Sequence, residues 1–362
     1  MITPGDEYPL HQTSRPVRHA GSDRNLYDRF FFNGYAKDGS AFFALAHGQY
    51  PGRDVADAAF SIIVDGVQHN VRASRRMGAD RLDTSVGPIA VTIIEPLRVL
   101  RIDIDDRESA VAASLMFTAR GPVFEEPHYL WSTGDRTVFD ITRLTQNGTW
   151  RGWARAGGHE VAMSDTDWWG TRDRSWGIRP IGERETGAPV MPMGFYWLWA
   201  PLNFDDASYL FDINEHPDGS RWHESAMRVS TGQPDAAVEQ GSAAYTLSLR
   251  SGTRHAESAE LIFTFADGAQ RITLTPLYNF YMQGIGYTHP SWGHAMYVGD
   301  DVRTYDSIVT ADENEASPLN LHVQTLCRAE RDDGATGTGI LEQLIVGPSA
   351  TLGLTDLFDM AP

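Results

Sequence analysis

Short apolar segments, rich in Val, Ile, Phe, Tyr and Trp, alternate along the chain with Gly, Asp, Asn and Pro. Segments of this length and composition are typical of β-strands separated by turns. The clearest span residues 40–46, 59–64, 89–95, 99–105, 112–118, 194–200, 209–214, 245–250, 260–265 and 270–275. Helical periodicity over ten residues is rare, and its best candidates are 122–130, 136–146 and 351–360. The sequence therefore predicts an all-β, antiparallel barrel or sandwich fold with few peripheral helices.

Two dipeptides predict tight hairpin turns. Asp65-Gly66 and Asp267-Gly268 each lie between two predicted strands. Two-residue hairpin loops favour Asp-Gly because their backbone requires positive φ angles. We therefore expect consecutive antiparallel strands to be joined at both positions.

The length of 362 residues exceeds the usual size of a single hydrophobic core and favours two domains. The segment 180–192 is rich in Pro and Gly and has the composition of a linker. A weak internal repeat supports two related halves, since the aromatic stretch at 34–45 resembles that at 194–211. We therefore predict domains over residues 1–185 and 186–362, each opening with an aromatic hairpin.

Charge and residue counts argue against several classes of function. The net charge of -18, from 30 basic and 48 acidic residues, opposes binding to nucleic-acid phosphates. Lys37 is the only lysine, which disfavours Schiff-base chemistry. Cys327 is the only cysteine, which excludes an intrachain disulfide and any cysteine-clustered metal site. Because no nucleotide-binding glycine motif is present either, we expect no cofactor.

Export and membrane signals are not found in the sequence. Residues 1–19 lack the apolar stretch of a signal peptide, and no apolar run is long enough to span a bilayer. We therefore expect a cytoplasmic protein without a membrane span. A homodimer is compatible with the sequence, which contains nothing that decides the oligomeric state.

The densest group of chemically active side chains lies in residues 165–177. In an extended strand, Asp173 lies on one face and Arg172 and Arg174 on the other, and the adjacent charges would depress the Asp173 pKa. One interpretation is an ion-pair ladder that tethers the two halves. The other is a functional site, in which Asp173 transfers protons or orients substrate and an arginine holds an anionic or carbonyl oxygen. The same stretch contains three tryptophans that either pack in the core or line a cavity: Trp168, Trp169 and Trp176.

The segment 169–177, Trp-Gly-Thr-Arg-Asp-Arg-Ser-Trp-Gly, resembles a family signature. Its counterpart is the His-Asp-His-Asn-Trp-Gly-type motif of the hydroxyneurosporene synthase, or carotenoid 1,2-hydratase, superfamily. That superfamily includes AttH-like lipocalin-fold proteins and, more remotely, the fungal Diels-Alderases. The resemblance implies two lipocalin-like domains over essentially the whole chain, with a ligand bound in or between them.

The position-by-position match places the family's Asp on Asp173 and its Trp on Trp176. The histidine that precedes this Trp by two residues falls on Arg174. Since arginine does not deprotonate near neutral pH, Arg174 cannot shuttle protons, and this argues against carotenoid hydration as such.

Two further clusters carry candidate residues. Tyr196-Trp197-Leu198-Trp199 is followed by Asp212, His216, His223 and Glu224, which are candidates for proton transfer; the alternative for His216 is a solvent-exposed turn. The later cluster contains Tyr278, Tyr281, Tyr287, His289, Trp292 and His294, and the earlier stretch 46–50 adds His47 and Tyr50. The spacing of His289 and His294 matches no standard ligand pattern, so we predict no metal site.

Taken together, the aromatic clusters predict a cavity for a hydrophobic small molecule. The leading hypothesis is a cofactor-independent lyase or isomerase acting on a polyene, terpenoid or polycyclic substrate by hydration, isomerisation or cyclisation. The alternative is a noncatalytic carrier of a hydrophobic ligand. The candidate catalytic residues are Asp173, Arg174, His216 and His289. The candidate ligand-binding residues are Trp168, Trp169, Arg172, Trp176, Tyr196, Trp197, Trp199, Tyr281 and Trp292.

Overall fold

The computed structural model describes residues 1–11, 21–183, 194–233 and 235–362. In the N-terminal half it contains the strands β1 (Leu26–Ala36), β2 (Phe42–Tyr50), β3 (Val55–Val64), β4 (Val67–Arg76), β5 (Ser85–Val86), β6 (Ile89–Glu95), β7 (Val99–Asp106), β8 (Val111–Ala119), β9 (Phe124–Glu125), β10 (Tyr129–Thr133), β11 (Arg136–Ala156), β12 (His159–Met163) and β13 (Trp168–Ile178). The C-terminal half contains β14 (Phe195–Asn203), β15 (Ala207–Glu215), β16 (Arg221–Ser230), β17 (Glu239–Gln240), β18 (Ser242–Leu249), β19 (Ala256–Phe265), β20 (Gly268–Tyr281), β21 (Val302–Val309), β22 (His322–Arg331) and β23 (Thr336–Val346).

The helices among the described residues are short 3₁₀ turns. They span Pro4–Glu7, Pro51–Arg53, Met282–Ile285, Thr310–Asp312 and Pro318–Asn320. None of these turns is long or apolar enough to cross a membrane. The prediction of an all-β chain with few peripheral helices is confirmed.

The chain divides into two compact units, and each unit is built from several segments. The first comprises Met1–Ala119, His128–Val190 and Gly284–Ala311, and the second comprises Arg120–Pro127, Met191–Gln283 and Asp312–Pro362. Strand β21 thus belongs to the first unit, and β9 to the second. Most of the linker proposed from the sequence, residues 184–192, lies outside the described residues.

The first unit is an antiparallel sheet that curls into a barrel-like form. Its strands follow the order β21-β4-β3-β2-β1-β13-β11-β8-β7-β6-β5, and β10 and β12 also pair with β11. The curl brings β5 and β6 against β3 and β4, where Arg75 Nε donates to the Ser85 carbonyl (2.8 Å). The inward face holds a packed core that includes Phe32, Phe43 and Trp150.

The second unit repeats this design. Its strands follow the order β17-β16-β15-β14-β23-β22-β20-β19-β18. The two ends of the sheet approach each other, since Arg221 on β16 donates to the Ala243 carbonyl on β18 (2.7 Å). Its own core includes Phe211, Phe263 and Leu341. Two antiparallel sheets with separate cores confirm the lipocalin-like fold class, and each half opens with a hairpin, β1–β2 and β14–β15.

Each of the ten predicted strands overlaps an observed strand, and both predicted hairpins form. Asp65 (φ 50°) and Gly66 (φ 73°) make the left-handed turn between β3 and β4. The second turn lies one residue earlier than predicted. Phe265 pairs with Gly268, so the loop is Ala266-Asp267, and Gly268 (φ 135°) already belongs to β20.

The three candidate helices are wrong. Residues 136–146 are the first half of β11, and residues 122–130 contain β9 and the start of β10. Residues 351–360 consist of turns, bends and an isolated bridge at Leu354. The three-residue spacing of Val138, Ile141 and Leu144 imitates a helical period. Strands β10 and β13 pair with this segment and supply the backbone hydrogen bonds that a helix would make internally.

Candidate functional site

The arginine-rich motif forms β13, between β1 and β11, and its faces alternate as predicted. Arg174 lies over the ring of Phe30 in the core, at 4.4 Å from the guanidinium carbon to the ring centroid. Arg172 lies 5.8 Å from the ring centroid of Phe117 in the same core. Asp173 therefore lies on the opposite, outward face.

Both arginines are fully buried and paired with carboxylates from other segments. Arg172 donates to both carboxylate oxygens of Glu7 (2.6 and 2.8 Å) and to Gln146 Oε1 (2.9 Å). Arg174 binds the Asp28 carboxylate and donates Nε–H to the Glu7 carbonyl (3.1 Å). These contacts correct the expected pairing of Asp173 with its flanking arginines, because strand alternation turns both guanidinium groups to the other face.

The three tryptophans of this motif do not share one wall. Trp168 packs in the core of the first unit. Trp169 lies on the opposite face, and its ring centroid is 3.7 Å from the Lys37 ammonium nitrogen. Trp176 contacts the ring of His11 edge-on, with centroids 5.9 Å apart. The predicted aromatic cavity wall is therefore divided between the two faces of β13.

The aromatic run of β14 also alternates. Tyr196 belongs to the core of the second unit. Trp197, on the other face, donates Nε1–H to Asp212 (2.8 Å), and Trp199 is buried on the same face as Trp197. At the end of β20, burial raises the pKa of the Tyr281 hydroxyl.

His216 and His289 both lie in turns. The backbone N–H of His216 donates to the Ser220 carbonyl (2.8 Å), which closes the turn that the alternative interpretation predicted. His289 Nδ1 accepts the backbone N–H groups of Ser291 (3.2 Å) and Trp292 (3.0 Å). Both histidines are therefore held in turns, and for His216 this agrees with the alternative interpretation.

A polar row that the sequence analysis missed crosses the outward face of the first sheet. The pairing registers of β13, β1, β2 and β3 align Ser175, Arg29, Gly48 and Asp57. Because Gly48 has no side chain, the space between Arg29 and Asp57 is open for side chains from other segments. Arg29 and Asp57 were not singled out because neither lies in one of the strand segments or aromatic clusters that the sequence indicated.

Asp57 is the centre of a buried hydrogen-bonded group. It accepts the Tyr50 hydroxyl (3.1 Å) and the backbone N–H of Ala295 (2.8 Å). His294 Nδ1 lies 3.9 Å from Asp57 Oδ2. On the far side of the imidazole ring, His294 Nε2 is buried and has no hydrogen-bond partner among the described residues.

The electrostatics of this pair hold His294 neutral and Asp57 ionised. Burial lowers the pKa of His294 to about 3, and the charge of Arg29 acts in the same direction. Burial alone would raise the pKa of Asp57, but its contacts with His294 and Ala295 outweigh burial and lower it. A carboxylate facing Nδ1 favours the proton on that nitrogen, which leaves the Nε2 lone pair available.

Two arginines and two tyrosines complete the group. Arg29 Nη1 donates to the Tyr287 hydroxyl (2.5 Å), whereas Arg29 Nε and Nη2 are buried without a partner in the described part of the chain. The ring of Tyr287 contacts that of His294 edge-on, with centroids 4.6 Å apart. Arg179 lies over the ring of Tyr27 at 4.4 Å. Unsatisfied cationic donors therefore lie beside a neutral imidazole.

A small pocket adjoins His294. Its lining includes Asp57, Arg72, Ile285, Trp292, His294 and Met296. Its interior volume is about 10 Å³, which is enough for one water molecule. Of the candidate residues named from the sequence, Trp292 and His294 lie in this lining.

Gly48 makes room for Tyr50, and this gives the first prediction. A Cβ atom at Gly48 would lie 2.1 Å from the Tyr50 hydroxyl oxygen. Gly48→Ala therefore displaces Tyr50 from Asp57, and we expect a loss of about 1–3 kcal/mol in the free energy of unfolding. Denaturant titration measures it, with Tyr50→Phe as the control that removes only the hydroxyl group. If Gly48→Ala is as stable as wild type, the Tyr50 ring can move away from residue 48 without loss of stability.

His47, on the opposite face from Asp57, predicts acid sensitivity. It is fully buried, and neither ring nitrogen has a partner in the described chain. Burial lowers its pKa to about 4; Arg75 and Arg174 also lower it, while Asp57 opposes them. Because the pKa of His47 is lower in the folded protein than in the unfolded chain, the unfolded chain becomes protonated at a higher pH. The free energy of unfolding therefore decreases as the pH falls from about 6.5 toward 4.

The matching variant is His47→Leu, which keeps an apolar core and removes the titrating group. We expect wild type to lose up to roughly 3 kcal/mol between pH 6.5 and pH 4 through His47, and the variant to lose correspondingly less. Urea denaturation at both pH values measures the difference. Parallel losses in the two proteins would rule out His47 as the source.

One group in the described chain has the arrangement of metal ligands. Glu126, Asp212 and His223, all buried in the second unit, offer ligand atoms within 4.8 Å of one another. Burial raises the pKa of the Asp212 carboxyl well above its ordinary value, and the nearby charges of Glu126 and Glu342 add to the effect.

A family profile covers almost the whole chain. It matches residues 2–355, and it is described as a family of unknown function, DUF8625. The chain belongs to the DUF8625 family. No curated protein sequence matches this DUF8625 member.

Solved structures resemble the DUF8625 chain over most of its length. A Nitrosomonas europaea structure named as an AttH protein is 12% identical, with a TM-score of 0.58 and coverage of 88% of this chain and 92% of its own. Kievitone hydratase from Nectria haematococca is 12% identical, with a TM-score of 0.53 and coverage of 95% and 93%. CghA is 9% identical, with a TM-score of 0.50 and coverage of 89% and 88%. At these identities the likeness establishes the fold alone, and this is the AttH-like fold that the resemblance of residues 169–177 implied.

Proposed function

We propose that this protein catalyses a cofactor-independent acid-base reaction on a hydrophobic small molecule, with His294 as the proton-transferring group. The observation that carries the proposal is the buried His294 Nε2, which has no hydrogen-bond partner in the described chain while Nδ1 faces the Asp57 carboxylate. Hydration, isomerisation and cyclisation are the reactions that such a group serves. Kievitone hydratase, which shares the fold, supports this class of chemistry.

Each residue of the group has a distinct role in this proposal. His294 Nε2 removes a proton from the substrate or, in a hydration, from the water molecule that adds to it, and Asp57 stabilises the imidazolium that forms. Arg29 directs Nε–H and Nη2–H groups at the oxygen on which negative charge develops. The proton held by His294 then returns to another substrate atom, so that no cofactor is consumed.

Substrate binding requires the pocket to enlarge. Its interior holds about one water molecule, and one wall comes from Ile285, Trp292 and Met296. Gly286 (φ 98°) lies in this segment, in a backbone conformation that favours glycine. Outward movement of the segment would place the indole of Trp292 against an apolar ligand.

Asp173 stays a second candidate for proton transfer. It lies on the same outward face as Arg29, two residues along β13 from Ser175 of the polar row. Substitution to Asn tests it: loss of turnover in a protein of unchanged stability would support a chemical role, whereas loss of stability would support a structural one.

The proposal is tested by ligand retention followed by isotope incorporation. Freshly purified protein is analysed by native mass spectrometry for a retained hydrophobic compound. That compound, and its dehydrated or isomeric analogues, are then incubated with the protein in D₂O. We expect carbon-bound deuterium or the mass of one added water in the product. Retention without any conversion would support the noncatalytic carrier, and it would contradict the enzymatic proposal.

A further inference from the structure

The second unit contains a buried group of residues that is separate from the His294 site. We propose that Glu126, Asp212 and His223 bind a divalent first-row transition metal ion, with Zn²⁺ or Mn²⁺ as the preferred class. The proposal is independent of the proposed function.

The distance between His223 and Asp212 fits two ligands of one metal ion. His223 Nε2 and Asp212 Oδ2 are 3.4 Å apart, which is long for a charge-assisted hydrogen bond. Two ligand atoms about 2.1 Å from a tetrahedral ion are separated by ~3.4 Å. The Glu126 carboxylate completes a set of three ligand atoms within 4.8 Å of one another, so small side-chain rotations close the site.

Charge gives a second reason. Glu126 and Asp212 are both buried, at 4% and 0% exposure, and Glu342 is a further buried carboxylate nearby. Glu342 has its own partners, His322 Nε2 (2.6 Å) and Gln324 Nε2 (2.6 Å). Facing carboxylates in a buried site require a shared proton or a cation. A divalent ion would neutralise Glu126 and Asp212 together.

Unsatisfied polar atoms beside the group supply independent support. Ser225 is directly opposite Asp212 in the β15–β16 register, and Asn214 is directly opposite His223. Such pairs place side chains about 5 Å apart on one face of the sheet. Ser225 Oγ and Asn214 Oδ1 are buried and have no hydrogen-bond partner in the described residues. Both are oxygen ligands that can reach an ion held by Asp212 and His223.

The ligand types select the metal. Two carboxylates and one imidazole, with hydroxyl and amide oxygens nearby, suit Zn²⁺, Mn²⁺ or Fe²⁺. The group has no thiolate, since Cys327 belongs to the core of the second unit. Trp197 donates Nε1–H to Asp212 Oδ1 (2.8 Å) and thereby orients Oδ2 toward His223.

The test uses the full chain and three metal ions as probes. After dialysis against a chelator, the protein is titrated with Zn²⁺, Mn²⁺ and Co²⁺ by calorimetry, and the Co²⁺ form is examined by visible absorption. We expect one ion per chain, d–d bands from Co²⁺, and a higher melting temperature with metal. Wild-type protein that binds none of the three ions stoichiometrically overturns the proposal without reference to any variant.

Two variants identify the ligands. Asp212→Asn and His223→Gln are expected to weaken metal affinity by at least about 100-fold. Glu224→Gln is the matched control, because its carboxylate binds Arg221 (2.7 Å) and the Ala243 N–H (3.0 Å) instead. If either ligand variant fails to fold, Glu126→Gln, outside β15 and β16, serves in its place. Wild-type affinity in the folded ligand variants would show that the ion binds elsewhere.

Discussion

Arg172→Met is expected to lower the free energy of unfolding by about 3–5 kcal/mol, because it leaves the buried Glu7 carboxylate without its cation. Arg172 and Glu7 are both completely buried and share two hydrogen bonds. Glu7 keeps one further donor, the backbone N–H of Leu97 (2.7 Å). A single amide N–H cannot compensate a buried negative charge, so Glu7 must take up a proton or the N-terminal segment must detach.

Denaturant titration followed by tryptophan fluorescence and circular dichroism measures the loss. Arg155→Met is the control, because Arg155 is an exposed arginine on β11 whose removal should change stability by less than about 0.5 kcal/mol. The double variant Glu7→Leu/Arg172→Met removes both charges, and we expect it to recover part of the lost stability. If Arg172→Met lowers the free energy of unfolding by less than about 1 kcal/mol, the ion pair between Glu7 and Arg172 does not contribute the stability expected here.

The strands and their faces were predictable from the sequence because they depend on local information. Alternation along 171–176 correctly separated Asp173 from Arg172 and Arg174, and Asp65-Gly66 correctly placed a turn. The partners of those side chains were not predictable. The sequence suggested that the arginines act on their neighbour Asp173. In the structure Arg172 pairs instead with the buried carboxylate of Glu7, 165 positions away in the sequence.

The candidate site shows the same limit. The sequence pointed to Tyr287, Trp292 and His294 through their aromatic composition, but it gave His294 no partner. Asp57 lies 237 positions earlier on β3 and contacts it only through the fold. The prediction of no metal site rested on the spacing of neighbouring histidines, and such spacing cannot detect residues as far apart in the sequence as the proposed ligands Glu126, Asp212 and His223. A charged residue inside an apolar strand, as at Arg29 and Asp57, is the signal that could have indicated a site.

His294→Gln is expected to reduce kcat by about 10²–10⁴-fold on the substrate identified by ligand retention, because it removes the proton acceptor and keeps a polar side chain of similar size. Asp57→Asn should reduce kcat in the same direction by withdrawing the charge that stabilises the imidazolium. His128→Gln is the matched control. His128 forms a comparable pair with Asp140 (2.8 Å), but that pair is exposed, and neither residue belongs to the lining of the pocket beside His294.

The pH profile distinguishes a chemical role of His294 from a structural one. Its pKa of about 3 predicts a wild-type kcat/KM, corrected for the folded fraction, that shows no inflection near pH 6.5. The rate should instead fall only as the pH approaches 3, where Nε2 becomes protonated and cannot accept a proton. In His294→Gln this acid limb should disappear together with most of the turnover, while circular dichroism and the denaturation midpoint at pH 7 stay close to wild type. A folded variant that loses less than about tenfold in kcat, or that retains the acid limb, would move the proton transfer to another group, and Asp173 would then be substituted next.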